Sequence, residues 1–199
     1  MDEFEDLKAR LRACLLCQGR FLATATQHGP RPVVWFERSA RILVASQAPG
    51  LRVHEAMKPF WDRSGVRLRA WLGVDEATFY NRSRVAIVPM AFCFPGYSAA
   101  GSDLPPPPLC AATWRPAILR QLEGLRLTLL IGGHAQRWHV GDVARGGVTE
   151  TIRRWRELPE GVMALPHPSW RNHGWLKRNP WFEAEVLPVV RERVQAALA

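Results

Sequence analysis

The chain has 199 residues, the size of one globular domain with a full hydrophobic core. Apolar residues make up 47% of it, which excludes general disorder, and no apolar run is long enough to span a bilayer. The formal net charge is +9, and 24 of the 27 basic residues are arginine, so we expect either a polyanionic partner or simply a solvated basic surface.

The order of predicted elements alternates helices with buried strands. Apolar residues at helical spacing predict an N-terminal helix over residues 3–17. Short apolar runs rich in β-branched residues predict buried strands at 41–45, 85–88, 125–131 and 162–165, and 32–36 is a further strand-like run. Further helices are predicted at 67–72, 114–122, 150–157 and about 180–193. The pattern predicts one α/β domain over residues 1–199, a three-layer α/β/α sandwich around a mostly parallel four-stranded sheet.

Four cysteines form the most distinctive pattern. Cys14 and Cys17 can supply two thiolates from one turn, while Cys93 and Cys110 come from distant segments. Four thiolates suit a [4Fe-4S] cluster or a structural zinc ion, and the asymmetric spacing favours the cluster, since zinc ribbons usually present two Cys-x-x-Cys pairs. The alternative is that Cys93 and Cys110 are buried small apolar residues. The acidic N-terminus is unlike a secretory signal, so we expect a cytoplasmic protein, where metal explains four cysteines better than disulfides.

Three buried strands end in loops that contain Gly, Pro or His. Ligands bind beyond the carboxyl ends of strands in open parallel sheets, so these loops should face one pocket. The loops are 46–50, 132–134 and 167–169.

The loop sequences resemble the uracil-DNA glycosylase superfamily, and most closely its iron–sulfur branch. Ser46-Gln-Ala-Pro-Gly50 is similar to the branch's Gly-Glu-Ala-Pro-Gly loop, and Pro59-Phe-Trp-Asp-Arg-Ser-Gly65 follows at the same spacing. The resemblance extends from Cys14 to about Asn172. It implies a monomeric enzyme that binds DNA containing uracil or another deaminated base, flips that base into a pocket and hydrolyses its N-glycosidic bond. It also implies that the four cysteines hold a cluster.

The chain departs from the iron–sulfur branch at several positions. Gln47 replaces the acidic residue of the first loop, whereas Asp62-Arg-Ser-Gly65 is similar to the Asp-x-Ser-Gly segment that carries the general base in another branch. Pro89 stands where the branch reads uracil with an Asn, so hypoxanthine and xanthine are alternative substrates. The segment 167–172 resembles the His-Pro-Ser-Pro-Arg-Asn segment of the single-strand-selective branch.

Residue types then suggest the catalytic roles. Asp62 could activate water and stabilise an oxocarbenium-like sugar, or it could simply cap a helix. His167 could donate to the departing base, and the backbone amides of Gln47 and Ala48 could add further donors. In the family an aromatic ring at the position of Phe60 stacks on the base, and Arg171 could fill the gap that the flipped base leaves. The predicted substrate-binding residues are Ala48, Pro49, Gly50, Phe60, Ser169, Arg171 and Asn172.

A second function also fits the sequence. The changes at Gln47 and Pro89 favour a non-catalytic or suicidal protein that binds damaged or abasic DNA through the same pocket. In such a protein His54 could act as a nucleophile, although it could also be an ordinary surface histidine.

Overall fold

A four-stranded parallel sheet forms the centre of the molecule in a computed structural model that describes residues 2–199. Its strands lie in the order β2-β1-β3-β4, and every neighbouring pair is parallel. The strands are β1 (Ile42–Ala45), β2 (Val85–Ile87), β3 (Leu127–Ile131) and β4 (Val162–Leu165). The predicted mixed α/β fold with one four-stranded sheet is therefore confirmed.

Alternate residues of β1, β2 and β3 supply two separate cores. Ile42 and Val44 of β1 face one core, whereas Leu43 and Ala45 face the other. Helices cover both faces, which explains why the strands read as continuous apolar runs rather than alternating ones. One core packs against α4, α5, α8 and α10, and the other packs against α1, α6 and α7. These helices are α1 (Glu3–Arg12), α4 (Arg63–Leu72), α5 (Glu76–Tyr80), α6 (Pro108–Gln121), α7 (Gly133–Val140), α8 (Gly147–Arg153) and α10 (Leu187–Leu198).

Three shorter helices complete the set of α-helices in the described residues. They are α2 (Gln18–Leu22), α3 (Leu51–Ala56) and α9 (His173–Arg178). A π-helical turn over Phe182–Val186 leads into α10, and a 3₁₀ turn over Trp170–Asn172 precedes α9. No helix within residues 2–199 is both long and apolar enough to cross a membrane.

The structure corrects the N-terminal helix. Helix α1 ends at Arg12 rather than at residue 17, so Cys14 lies in the following turn and Cys17 occupies the position just before α2, without a side-chain capping hydrogen bond. Leu15 continues the helical spacing of apolar residues beyond Arg12, but it is 63% exposed and takes no part in the core, so the spacing does not mark a helix at that position. The turn leaves the two thiols on a bend rather than along one helix face.

Two further predictions of secondary structure were inaccurate. The run 32–36 is not a strand but makes one isolated antiparallel bridge, from Trp35 to Ile87. Pro32 lacks an amide hydrogen for a ladder, which limits pairing at that edge. Helix α6 begins at Pro108, so Cys110 lies inside its first turn rather than ahead of it.

Candidate active site

One cavity of about 610 Å³ lies beyond the carboxyl ends of the strands. Its walls come mainly from the segments that follow β1, β2 and β4. All ten residues predicted for catalysis or substrate binding line it, and their individual roles stay predictions. They are Gln47, Ala48, Pro49, Gly50, Phe60, Asp62, His167, Ser169, Arg171 and Asn172.

The loop after β1 is fixed by its carbonyl groups and keeps its amides free. The Ser46 carbonyl accepts from the Met90 amide at 2.8 Å, and the Gln47 carbonyl accepts from the Ala91 amide at 3.1 Å. Within residues 2–199 the amides of Gln47 and Ala48 have no hydrogen-bond partner. Because both residues line the cavity, these two amides are available as preorganised donors to a bound group.

Phe60 is held in a backbone conformation that is rare for a residue with a side chain. Its φ is +53°, and its carbonyl accepts from the Tyr80 hydroxyl at 3.1 Å. Burial raises the pKa of Tyr80, so the phenol keeps the proton that it donates. A Cβ atom at Gly65 would lie 1.8 Å from the Phe60 carbonyl oxygen, so only glycine fits there. The surroundings thus impose an unfavourable conformation that places the Phe60 ring in the cavity wall.

Asp62 is both a helix cap and a cavity residue. Its Oδ1 accepts from the Gly65 amide at 3.0 Å at the start of α4. The two interpretations of Asp62 are therefore not exclusive. A carboxylate has two oxygens with about four acceptor sites, and the cap uses one of them. The remaining sites can bind water in the cavity.

The hydrogen bonds of His167 define its tautomer. Its Nδ1 accepts from the Ser169 amide at 3.2 Å, so the proton of the neutral ring is on Nε2. Burial lowers the pKa of His167, while the charges of Asp62 and Asp103 raise it to a smaller extent. Within residues 2–199, Nε2 has no hydrogen-bond partner. The ring is a neutral donor with one free N–H.

Three side chains hold the loop that carries His167. Asn172 Nδ2 donates to the His167 carbonyl at 2.7 Å, and Ser169 Oγ accepts from the Arg171 amide at 3.1 Å. Arg67, which lies on α4, donates from Nη1 to the Ser169 carbonyl at 3.0 Å. Helix α4 thus carries Asp62 at its start and ties down the His167 loop one turn later. Arg67 was missed at the sequence level, because its partner lies 102 positions away.

The loop after β2 supplies a second carboxylate that the sequence did not single out. Asp103 lines the cavity, and its Oδ2 pairs with Arg171 Nη1 at 3.3 Å. An antiparallel bridge between Tyr97 and Asp103 shapes this loop. No periodicity or motif marks the segment in the sequence, so only the fold reveals that it reaches the cavity. Other wall residues missed in the same way are Arg52, Ser64, Tyr97 and Leu104.

The loop at 132–134 was wrongly predicted to face the cavity. Gly132, with φ +80°, packs behind His167, where an added Cβ would lie 3.7 Å from the His167 Cβ. Helix α7 starts immediately afterwards, so no residues remain to extend over the pocket, and His134 lies outside its wall.

His54 also lies outside the cavity wall. Its ring packs against His28 and Phe94, with centroids 5.2 and 5.9 Å apart. Burial lowers the pKa of His54, and the charges of His28 and Arg31 lower it further. His54 therefore lies in an aromatic cluster with His28 and Phe94 rather than in the wall beside Phe60.

The four cysteines line one small, mainly apolar cavity between the turn after α1, the loop after β2 and the start of α6. All four are free thiols, and Cys93 and Cys110 are buried. Burial raises the pKa of Cys93 to about 12 and that of Cys110 to about 11. Among residues 2–199, no three His, Cys, Asp or Glu side chains are arranged to hold a single metal ion.

A carboxylate and a neutral histidine in one cleft, beyond the strand ends of a parallel sheet, are the arrangement expected of an α/β enzyme that uses acid–base chemistry. The model of the Uracil DNA glycosylase superfamily matches residues 34–191. The chain therefore belongs to this superfamily, and membership indicates DNA glycosylase activity in DNA repair. The matched range includes Cys93 and Cys110 but begins after Cys14 and Cys17, so placement in the iron–sulfur branch stays a prediction.

Proposed function

We propose that the protein is a cytoplasmic, monomeric uracil-DNA glycosylase of base excision repair. It flips a deaminated base out of DNA, hydrolyses the N-glycosidic bond and leaves an abasic site. The observation that carries the proposal is the shared cavity of Asp62 and His167, in which the histidine is neutral and presents a free Nε2–H. When the N-glycosidic bond breaks, positive charge develops on the sugar and negative charge on the base. The carboxylate can stabilise the first, and the neutral histidine can donate a hydrogen bond to the second.

The cavity residues divide the work between sugar and base. Asp62 orients the attacking water and stabilises positive charge on the sugar. His167 Nε2–H and the amides of Gln47 and Ala48 donate to the base oxygen that becomes anionic. Phe60, fixed by Tyr80 and Gly65, supplies the face on which the base stacks.

Uracil is the first substrate to test, and the pocket composition also supports hypoxanthine or xanthine. Pro89 lines the cavity and offers no side-chain hydrogen bond, so the amide that reads uracil in the iron–sulfur branch is missing here. The side-chain amide of Gln47 lies in the same wall and can read the edge of more than one base. A suicidal DNA binder is less well supported, because His54 packs against His28 and does not line the cavity.

We further propose that Cys14, Cys17, Cys93 and Cys110 hold a [4Fe-4S] cluster, which would place the chain in the iron–sulfur branch. The four thiols line one small apolar cavity, and their asymmetric spacing in the sequence is unlike the two Cys-x-x-Cys pairs of a zinc ribbon. A bound cluster would supply the positive charge that lets buried thiols ionise, and it would tie α1 and α2 to the loop after β2.

The cluster proposal predicts brown protein with about four iron and four sulfide ions per chain. Replacing Cys93 by Ala should lower the soluble yield and the iron content. The matched control is a Ser102→Ala variant, which removes one exposed hydroxyl oxygen from the same loop. Colourless protein with stoichiometric zinc would contradict the proposal, as would a Cys93→Ala protein with full iron content.

The glycosylase proposal is tested by incubating the protein with oligonucleotides that carry uracil, hypoxanthine or xanthine. Alkali-labile abasic sites at one of these bases, and none at normal bases, are the expected result. Tight binding without any abasic site would instead favour the DNA-binding alternative.

A further inference from the structure

Trp170 is an exposed aromatic ring at the mouth of the cavity. Its side chain lines the cavity and is 68% exposed, more than any other large apolar residue among positions 2–199. In that described range its ring makes no aromatic contact, no cation contact and no hydrogen bond. Trp61, also near the cavity, is 46% exposed, but the Lys58 ammonium covers its ring at 3.7 Å. Trp170 thus has a face free for a ligand.

The backbone beneath Trp170 is fixed. It starts the 3₁₀ turn over Trp170–Asn172, which Ser169 caps. The Asn172 amide and the Arg67 guanidinium hold the two carbonyls on either side of Pro168. A partner would therefore meet a ring whose backbone is already ordered, so little conformational entropy is lost on binding.

The surrounding charges indicate the kind of partner. Arg52 and Arg171 line the same cavity as Asp62 and Asp103, and the chain as a whole carries a net charge of +9. Basic side chains interleaved with an exposed aromatic ring are the features of a surface that binds single-stranded nucleic acid by base stacking. In a duplex, by contrast, the neighbouring bases are already stacked and paired.

We propose that Trp170 is a stacking platform for the base next to the flipped nucleotide, and that single-stranded DNA is the preferred substrate form. The role of the flipped nucleotide rests on the proposed function; the stacking contact itself does not require excision. The Arg171 guanidinium, freed from Asp103, would then pair with the phosphate between the two nucleotides.

Binding to an uncleavable abasic-site analogue tests the contact without chemistry. Trp170→Ala should weaken binding to the single-stranded oligonucleotide by about 5- to 150-fold, the range for loss of one base–aromatic stack. Trp170→Phe should retain most of the affinity. Trp61→Ala is the matched control, and we expect it to bind within about twofold of wild type because its ring face is already occupied.

A second DNA substrate tests whether a neighbouring base is the stacking partner. Removing the bases on both sides of the analogue should abolish the difference between wild type and Trp170→Ala, because the ring then has nothing to stack on. An equal loss with and without the neighbouring bases would overturn the proposal, as would an equal loss on duplex DNA. A protein that binds as predicted but excises no base would refute the proposed function and leave the stacking contact intact.

Discussion

Replacing Asp62 by Asn separates its two roles. Asn caps helices as well as Asp does, so the bond from the Gly65 amide to the side-chain oxygen should survive. The negative charge disappears, and with it the group proposed to activate water. We expect the free energy of unfolding to change by less than about 0.5 kcal/mol. Excision should nevertheless fall by roughly two to four orders of magnitude, which corresponds to about 3–5 kcal/mol of activation free energy.

The Asp62→Ala variant provides the comparison, because it loses both the charge and the cap. Loss of an N-cap costs about 1 kcal/mol, which lowers the melting temperature by about 2–4 °C for a chain of this size. Its excision rate should match that of Asp62→Asn. Thermal melts and single-turnover excision on one oligonucleotide measure the two effects separately.

Two outcomes would refute this reasoning. An Asp62→Asn protein that excises at the wild-type rate would leave Asp62 as a cap only. An Asp62→Ala protein much slower than Asp62→Asn would show that the position of α4, rather than the carboxylate, governs the rate.

Three further predictions concern His167, Arg67 and His139. His167→Ala should slow excision about 10²- to 10³-fold. Because burial lowers the pKa of His167, protonation of its ring should reduce the wild-type excision rate only below pH 6.5. A loss of rate that begins above pH 6.5 would contradict the neutral ring. Arg67→Met should slow single-turnover excision roughly tenfold, because it releases the loop that carries His167. The control is Arg63→Met, which changes an exposed arginine of the same helix. Equal excision rates for the two variants would show that Arg67 does not position the His167 loop. Burial and the adjacent Arg115 lower the pKa of His139 to about 3. Between about pH 6.5 and pH 3 the folded state therefore binds fewer protons than the unfolded state, so the protein becomes less stable as the pH is lowered. The free energy of unfolding measured in urea should be about 2 kcal/mol lower at pH 5 than above pH 6.5. This difference should disappear in His139→Gln, which keeps an acceptor for Arg115. An unchanged pH dependence in that variant would contradict a lowered pKa of His139.

The sequence predicted the sheet well because its signal is local. A buried parallel strand is a short run of apolar residues, and each of the four runs became a strand. The short helices α3, α5 and α7 carry too few turns to show a period, and they were missed. Leu15 shows the opposite error, since it extends the helical spacing of α1 but lies in a solvent-exposed turn.

The sequence predicted those parts of the site that lie in short, recognisable motifs. The loops around Gln47, Asp62 and His167 are recognisable segments, and the fold brings them to one cavity. Arg67 and Asp103 lie in no recognisable motif, because each is linked to the site by a contact with a residue that is distant in the sequence. The Arg171–Asp103 pair joins residues 68 positions apart, and only the folded chain shows it.

The most direct test of the central claim is the fate of a uracil-containing single strand incubated with a tenfold smaller amount of protein. A glycosylase should release several molecules of free uracil per protein molecule, and intact-protein mass spectrometry should find the chain unmodified. Release of no free base, with at most one covalently attached DNA strand per protein molecule, would contradict the account and identify a suicidal binder.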